Sequence, residues 1–481
     1  MLRSSDSDYR SYIERRTDFA QVIEEIIFLI IFTALGALIR FWKLGEWSFW
    51  ADEVFSVQDS LKFPDTMNIN PIIYFIVHNV INFFGISEWS ARLGPCVIGI
   101  ISIPIIYLFA RSIFGVRVGM ISALFLSIHP WHIFWSQNAR AYSLAFLFSA
   151  TSALFFYQAF EKNKVGYTLS ALLFTILAIS SYLHCILLLP VFIGYLILIS
   201  FLPVNIPRGF NKKNIIVFFL PFALSALLLI MPSVRDYISS GWGSNEWGRN
   251  TIYILFTLIY SLSIPLSTAS LIGGLHSLVY LNRGGIFLIC YAVIPLLIIL
   301  AISPLLNVAG YYLFFTMPAY VVLAGLVASE LIEISSRESK AISSAVMVIL
   351  LISLISQTYL YFTNENGGRE KWKEAFKTIS DKVEKDDYVV ISMPRIAEYY
   401  LQKTNILQLE NIMGNIDSYK NSWSNEKKDV WFVLDESSLR VLDPKHKFRN
   451  WIYANCSMVS NFPIYARVMD RSVSVWKLNY Q

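Results

Sequence analysis

Two adjacent acids, Asp52 and Glu53, stand in the run Trp47-Ser48-Phe49-Trp50-Ala51-Asp52-Glu53-Val54-Phe55-Ser56, directly after the first long apolar stretch of the chain. A carboxylate at the hydrocarbon boundary is costly unless it points into a water-filled or substrate-filled cavity, so a pair wrapped in tryptophan is a candidate site. The plainer alternative is a solvated interfacial turn. Arg140, in the run Ser136-Gln137-Asn138-Ala139-Arg140-Ala141-Tyr142, offers a planar, permanently charged fork that matches phosphate oxygens, with snorkelling to ordinary lipid headgroups as the alternative. Residues 233–250 add Arg235, Asp236, Trp242, Glu246, Trp247 and Arg249, a mixture able to grip a sugar ring and a phosphate together, or simply a surface loop. Tyr74, His78 and Asn82 recur every four residues and form one polar-edged helical stripe.

The elements that must position these residues are mostly membrane. The 481 residues are 55% hydrophobic and 15% charged, with mean hydropathy +0.52. This is too apolar for a soluble domain. A net charge of +5, spread in small clusters between apolar runs, argues against a nucleic-acid partner. Cys96, Cys185 and Cys290 lie in apolar segments and only Cys456 in a polar one, so no disulfide framework is expected. The polar first 20 residues do not resemble a cleaved secretory signal, and the first apolar stretch is expected to remain as an anchor.

Apolar runs of about 17–25 residues predict eleven spans: 23–42, 92–110, 118–135, 142–160, 166–182, 185–203, 215–232, 251–273, 286–303, 310–328 and 342–362. With a cytoplasmic N-terminus, the inward loops carry Arg111 and Arg117, Lys162 and Lys164, Arg208, Lys212 and Lys213, Arg283, and Arg337 and Lys340, as the positive-inside rule requires. Residues 71–84 would span only about 21 Å as a helix, short of a hydrocarbon core of about 30 Å, and are expected to lie at the outer interface. The expected organisation is a cytoplasmic segment 1–22, a membrane domain 23–362 with an external loop 43–91, and an external soluble α/β domain 363–481. In that last part 369–385 reads as an amphipathic helix, 388–392 and 430–434 as buried strands, and 464–469 with 473–478 as a hairpin.

Several chemistries have no motif behind them: HExxH, paired CxxC and GxxxxGK[ST] are absent, and Gly241-Trp242-Gly243 lacks the strand-loop-helix setting of a nucleotide fingerprint. Asp52-Glu53 is not the spaced DxD pair that favours a bridging cation, and His129 with His132 reads as a satisfied helix end. No metal or cofactor is expected.

The ordered series Arg40-Phe41-Trp42-Lys43-Leu44-Gly45, Asp52-Glu53, Asn70-Pro71-Ile72-Ile73-Tyr74, Arg92-Leu93-Gly94-Pro95 and 136–142, continued at Tyr182-Leu183-His184, 312–318 and Arg369-Glu370-Lys371-Trp372, resembles the C-type superfamily of integral-membrane glycosyltransferases. Within it, the dolichyl-phosphate-mannose protein mannosyltransferase-like and aminoarabinose-transferase-like proteins are most similar. The resemblance implies a polytopic helical fold, a polyprenyl-phosphate sugar donor, and a glycan, lipid or protein acceptor at the outer face of the cell membrane. It implies Asp52 as catalytic base supported by Glu53, donor phosphate contacts from Arg140, Gln137, Tyr142, Arg249 and Arg235, and substrate contacts from Tyr74, His78, His184 and Trp242. Two departures stand out: one proline where relatives show two before Tyr74, and Gly310-Tyr311 where they often carry arginine. The alternatives are a lipid-linked oligosaccharide transferase of the same fold and a lipid or sugar transporter. The transporter reading needs mid-membrane charges and broken half-helices, and the hydropathy pattern leads one to expect neither.

Overall fold

The computed structural model describes residues 4–65, 70–232, 235–236, 250–333, 337–384, 386–401, 405–426, 428–466 and 469–479. Its first eight α-helices are α1 (Ser4–Phe41), α2 (Ala51–Leu61), α3 (Pro71–Phe84), α4 (Glu88–Phe114), α5 (Val116–Ser127), α6 (Pro130–Ser136), α7 (Tyr142–Lys162) and α8 (Val165–Ser181). Among the described residues seven helices are long and apolar enough to cross a membrane: Gln21–Phe41, α4, α7, Leu183–Phe201, Arg283–Ile302, Gly310–Glu333 and Lys340–Thr363. The chain is a multi-pass membrane protein.

Two expected straight spans are bent. Helices α5 and α6 meet at 61°, where extended His129 precedes Pro130 and its imidazole caps the Trp131 N–H. Thr251–Leu262 and Ile264–Val279 meet at 98°, because Ser263 takes φ +70° and caps the second helix through its hydroxyl. The segments expected at 166–182 and 215–232 are the 17-residue α8 and the helix Lys212–Ser225, which carries Pro221 and passes into the 3-10 turn Ala226–Ile230.

The polarity of the bundle follows from its ion pairs. Arg111 at the end of α4 meets Glu25 of α1 at 3.1 Å, Arg117 pairs with Glu333, and Arg283 meets Glu161 of α7 at 2.8 Å. The basic loops therefore gather at one end. The other end holds the close of α1, the start of α4, and α2 with α3. The 14-residue α3 packs Ile73, Tyr74, Val77 and Ile81 inward beside α2 and α4 and leaves Phe75 and Phe83 exposed. Its length stays below that of a crossing, as expected.

Beyond residue 363 the chain builds a five-stranded sheet in the order β2-β1-β3-β7-β4, from β1 (Tyr388–Ile391), β2 (Ile406–Gln408), β3 (Val430–Asp435), β4 (Cys456–Phe462) and β7 (Val473–Leu478). Strands β1, β2 and β3 are parallel, and β7 is antiparallel to β3 and β4. One expectation is corrected here: β7 pairs with β4, Val473 opposite Phe462 and Leu478 opposite Cys456. The residues expected to pair with it form instead a small ear, β5 (Tyr465–Ala466) against β6 (Met469–Asp470). Seven residues of β4 bury more ladder against β7 than so short a segment can. The amphipathic helix is Trp372–Ser380, whose Trp372, Ala375, Phe376 and Ile379 share one buried cluster with Phe49, Val54 and Val57. The tail is thus packed onto the loop that carries the acids. Polar ties reinforce this: the Phe49 N–H donates to the Tyr400 hydroxyl at 2.8 Å, which donates to Glu88 at 3.0 Å, and the Lys373 N–H donates to Ser48 at 2.9 Å.

Candidate active site

Helix α2 starts at Ala51 after extended Trp50, placing Asp52 and Glu53 in its first turn. Successive helical residues point about 100° apart, so the two acids meet different surroundings. Glu53 turns inward and is fully buried. Its Oε1 accepts from Arg92 Nε at 2.8 Å and from the Ala139 N–H at 2.9 Å, and its Oε2 from Arg92 Nη2 at 2.7 Å and Arg369 Nε at 3.2 Å. Burial pushes this carboxyl up, but Arg92, Arg369 and the Ala139 N–H outweigh it and hold the pKa at about 2. Arg92 spends its remaining N–H groups on the carbonyls of Leu44, Trp47 and Ser48. Arg369 donates to the carbonyls of Gly367 and Gln137 and lies between the rings of Trp47 and Phe134. Gly367 makes this approach possible: its φ is +63°, and a Cβ there would sit 2.3 Å from the Trp47 ring.

Asp52 turns outward. Its side chain is 37% exposed and its Oδ2 lies 3.4 Å from Nη2 of Arg140, itself 23% exposed. Arg140 Nη1 donates to the Ser56 hydroxyl at 3.3 Å, which bonds back to the Asp52 carbonyl, so the guanidinium lies along the first turns of α2. The backbone of Arg140 belongs to the same 137–141 turn whose Ala139 N–H is anchored on Glu53. Trp50 fixes that turn from the other side by donating to Asn138 at 3.0 Å. Beside the pair stands an aromatic wall: Trp135 against Tyr142 at 3.7 Å, Tyr142 against Tyr182 at 5.0 Å, Tyr182 against His184 at 4.8 Å, and His184 against Tyr312 at 4.3 Å. Tyr142, Tyr311 and Tyr312 lie within electrostatic reach of both Asp52 and Arg140, and Tyr74 within that of Arg140.

The structure therefore gathers Asp52, Arg140, Tyr74, Tyr142 and His184. Three expected residues take other places. Gln137 is not at the donor edge but fully buried: its amide donates to the carbonyls of Arg40 and Trp42 at 2.8 and 2.7 Å and accepts from Tyr361 at 2.8 Å, so its polar atoms are engaged within the protein. His78 binds the Ser60 carbonyl at 2.7 Å and Asn82 at 2.9 Å, tying α3 to the far end of α2, two turns from Asp52. Glu53 is not open to a substrate, since both of its oxygens are engaged by Arg92, Arg369 and the Ala139 N–H. Arg235 is exposed, and Trp242 and Arg249 lie outside the described residues. The sequence reading gave no role to Arg92, Arg369, Tyr182, Tyr311 or Tyr312, although all fall within or beside its motif stretches; an arginine in the first turn of an apolar helix was the available signal for Arg92. Among the described residues no three His, Cys, Asp or Glu side chains group as they would to hold a metal ion. The Gln137 network makes one stability prediction: Gln137→Leu removes its hydrogen bonds with Tyr361 and with the carbonyls of Arg40 and Trp42, and should cost roughly 2 kcal/mol, read as a lower thermal midpoint in detergent.

Comparison with known proteins agrees with this architecture. Residues 68–235 match the family model of dolichyl-phosphate-mannose-protein mannosyltransferase. ArnT from Cupriavidus metallidurans bound to undecaprenyl phosphate is similar over 94% of this chain and 99% of its own, at 14% identity and TM-score 0.58. The Archaeoglobus fulgidus oligosaccharyltransferase in its apo form is similar over 85% of this chain and 69% of its own, at 12% identity and TM-score 0.61. That organism's AglB, in complex with an inhibitory peptide and a dolichol-phosphate, covers 86% and 70% at 13% identity and TM-score 0.56. No curated protein sequence matches. The fold is that of the C-type integral-membrane glycosyltransferases. Within that class the chain resembles the mannosyltransferase-like and aminoarabinose-transferase-like proteins, as its motifs implied.

Proposed function

We propose that this protein transfers a sugar from a polyprenyl-phosphate donor to an acceptor hydroxyl, with Asp52 as general base and Arg140 at the donor phosphate. The observation that carries the reading is the half-open Asp52–Arg140 pair, 3.4 Å apart, beside an acid that is buried and saturated. The loose pair keeps both charged groups accessible: the carboxylate can take the acceptor proton while the acceptor oxygen attacks the anomeric carbon. The bond from that carbon to the phosphate oxygen breaks, its electron pair leaves with the phosphate, and configuration inverts. Arg140 meets the charge growing on the leaving phosphate. Tyr311, which is exposed, and half-buried Tyr312 offer ring surface to the sugar or the first isoprene units, backed by the buried Tyr142, Tyr182 and His184. A lipid phosphate donor is supported by the undecaprenyl phosphate in the ArnT structure and the dolichol-phosphate in the AglB structure.

The same reading sets the orientation. With the basic loops cytoplasmic, the acids, the aromatic wall and residues 363–481 lie outside the cell membrane, and residues 1–22 inside. The test is to incubate purified protein with radiolabelled polyprenyl-phosphate sugars and native membrane extract. One donor should be consumed, and Arg140→Gln should raise its KM by about ten- to a hundredfold, the loss of one charged hydrogen bond. If no donor is turned over, the transferase reading falls.

A further inference from the structure

Far from the aromatic wall, the tail carries an open cavity of about 430 Å³ between the start of helix Glu436–Leu442, the start of helix Lys447–Asn455 and the ear. Its volume falls within the range of roughly 300–1,000 Å³ typical of small-ligand clefts. Its lining residues are mostly charged, with Pro444 and Tyr465 the apolar and aromatic members. Three carboxylates, Glu436, Asp443 and Asp470, face two guanidiniums, Arg440 and Arg449. Neither sign dominates, which disfavours a polyanion or a strongly cationic segment.

The polar groups are only partly used. Arg449 spends Nη2 on Glu436 at 2.6 Å and its backbone N–H on Asp443 at 2.9 Å, while its buried Nε has no hydrogen-bond partner among the described residues. Asp470 Oδ1 takes two bonds from Ser472. Each of the three carboxylates thus keeps an oxygen for a ligand. Over this array the Tyr465 ring stands 64% exposed. Planar donors and acceptors lining one cavity together with an exposed aromatic ring are what a run of sugar hydroxyls with an apolar C–H face requires. A chain of contacts links the cavity to the acid loop: Asp470 precedes Arg471, which pairs with Glu370 at 2.7 Å, and Glu370 follows Arg369, bonded to Glu53.

We propose that this cavity binds a neutral glycan chain, holding the acceptor while its end reaches Asp52. The inference rests on the transferase reading for the purpose of the site, though not for the binding itself. The test uses the full chain in lipid nanodiscs free of sugar-based detergent, titrated without donor against neutral oligosaccharides of two to six units built from mannose, glucose or N-acetylglucosamine, with oligogalacturonate as the acidic control. At least one neutral series should bind saturably, and Tyr465→Ala, at an exposed position, should weaken it by about tenfold. Arg440→Ala should weaken it too, and Asp52→Asn should bind as wild type does. Failure of every neutral series, equal binding by Tyr465→Ala, or binding of the acidic chain alone overturns the proposal. If the wild-type protein binds a neutral series yet consumes no donor of the panel, the transferase reading alone falls.

Discussion

Asp52→Asn is expected to lower turnover by about 10²–10⁴-fold while leaving the protein folded and the donor KM nearly unchanged. Asparagine keeps the size of the side chain and can still accept from Arg140, but it cannot take a proton from an acceptor hydroxyl. The structural cost is small because the 3.4 Å ion pair is partly solvated, and such pairs contribute at most about 1 kcal/mol. The thermal midpoint should therefore stay close to wild type, which separates lost chemistry from lost fold. The measurement is single-turnover consumption of whichever donor the panel identifies. If the variant keeps more than about a tenth of wild-type turnover, well short of the loss of a general base, Asp52 does not act as one.

What the sequence made legible is what local patterning controls. Of the eleven expected spans, seven are single helices long and apolar enough to cross a membrane, two are bent pairs and two are shorter helical segments, and α3 stayed short, because length and hydropathy are properties of a contiguous stretch. The bends at His129 and Ser263 depend on how one or two residues set φ and cap the next helix, which hydropathy averages away. The β4–β7 pairing depends on a partner beyond the ear, outside any hairpin template. The site divides in the same manner. Asp52 and Arg140 stood out because charge at the hydrocarbon edge is costly unless a cavity or a partner takes it up. That Gln137 would turn into the protein and bind the carbonyls of Arg40 and Trp42 could not be read, since its neighbours arrive from more than 90 positions away. The split between Asp52 and Glu53 is partly legible in retrospect. Once residues 51–61 are helical, adjacent acids cannot share one face, and the one followed by Val54 and Val57 on the inner side is drawn inward.

Glu53→Gln is the companion experiment and should act through stability. Removing one charge leaves the guanidiniums of Arg92 and Arg369 buried side by side without a counter-ion, a situation that typically costs about 3–5 kcal/mol. These groups join four parts of the chain: α2, the start of α4, the 137–141 turn and the segment entering the tail. The variant should therefore lose thermal stability, become more open to proteolysis near residues 364–371, and lose turnover because Arg140 rides on the loosened turn. The sign with pH follows from the carboxyl being held near 2 against an ordinary value of 4.5. Its contribution is complete above about pH 4.5 and fades as pH falls toward 2, so the gap between wild type and Glu53→Gln should be full at neutral pH and narrow only in that acid window. Glu53→Asp keeps the charge on a shorter arm and should recover part of the stability. If Glu53→Gln unfolds with wild type at pH 7, the buried cluster is not what fastens the tail to the acid loop, and the shared apolar contacts of Phe49, Val54 and Trp372 must carry that attachment.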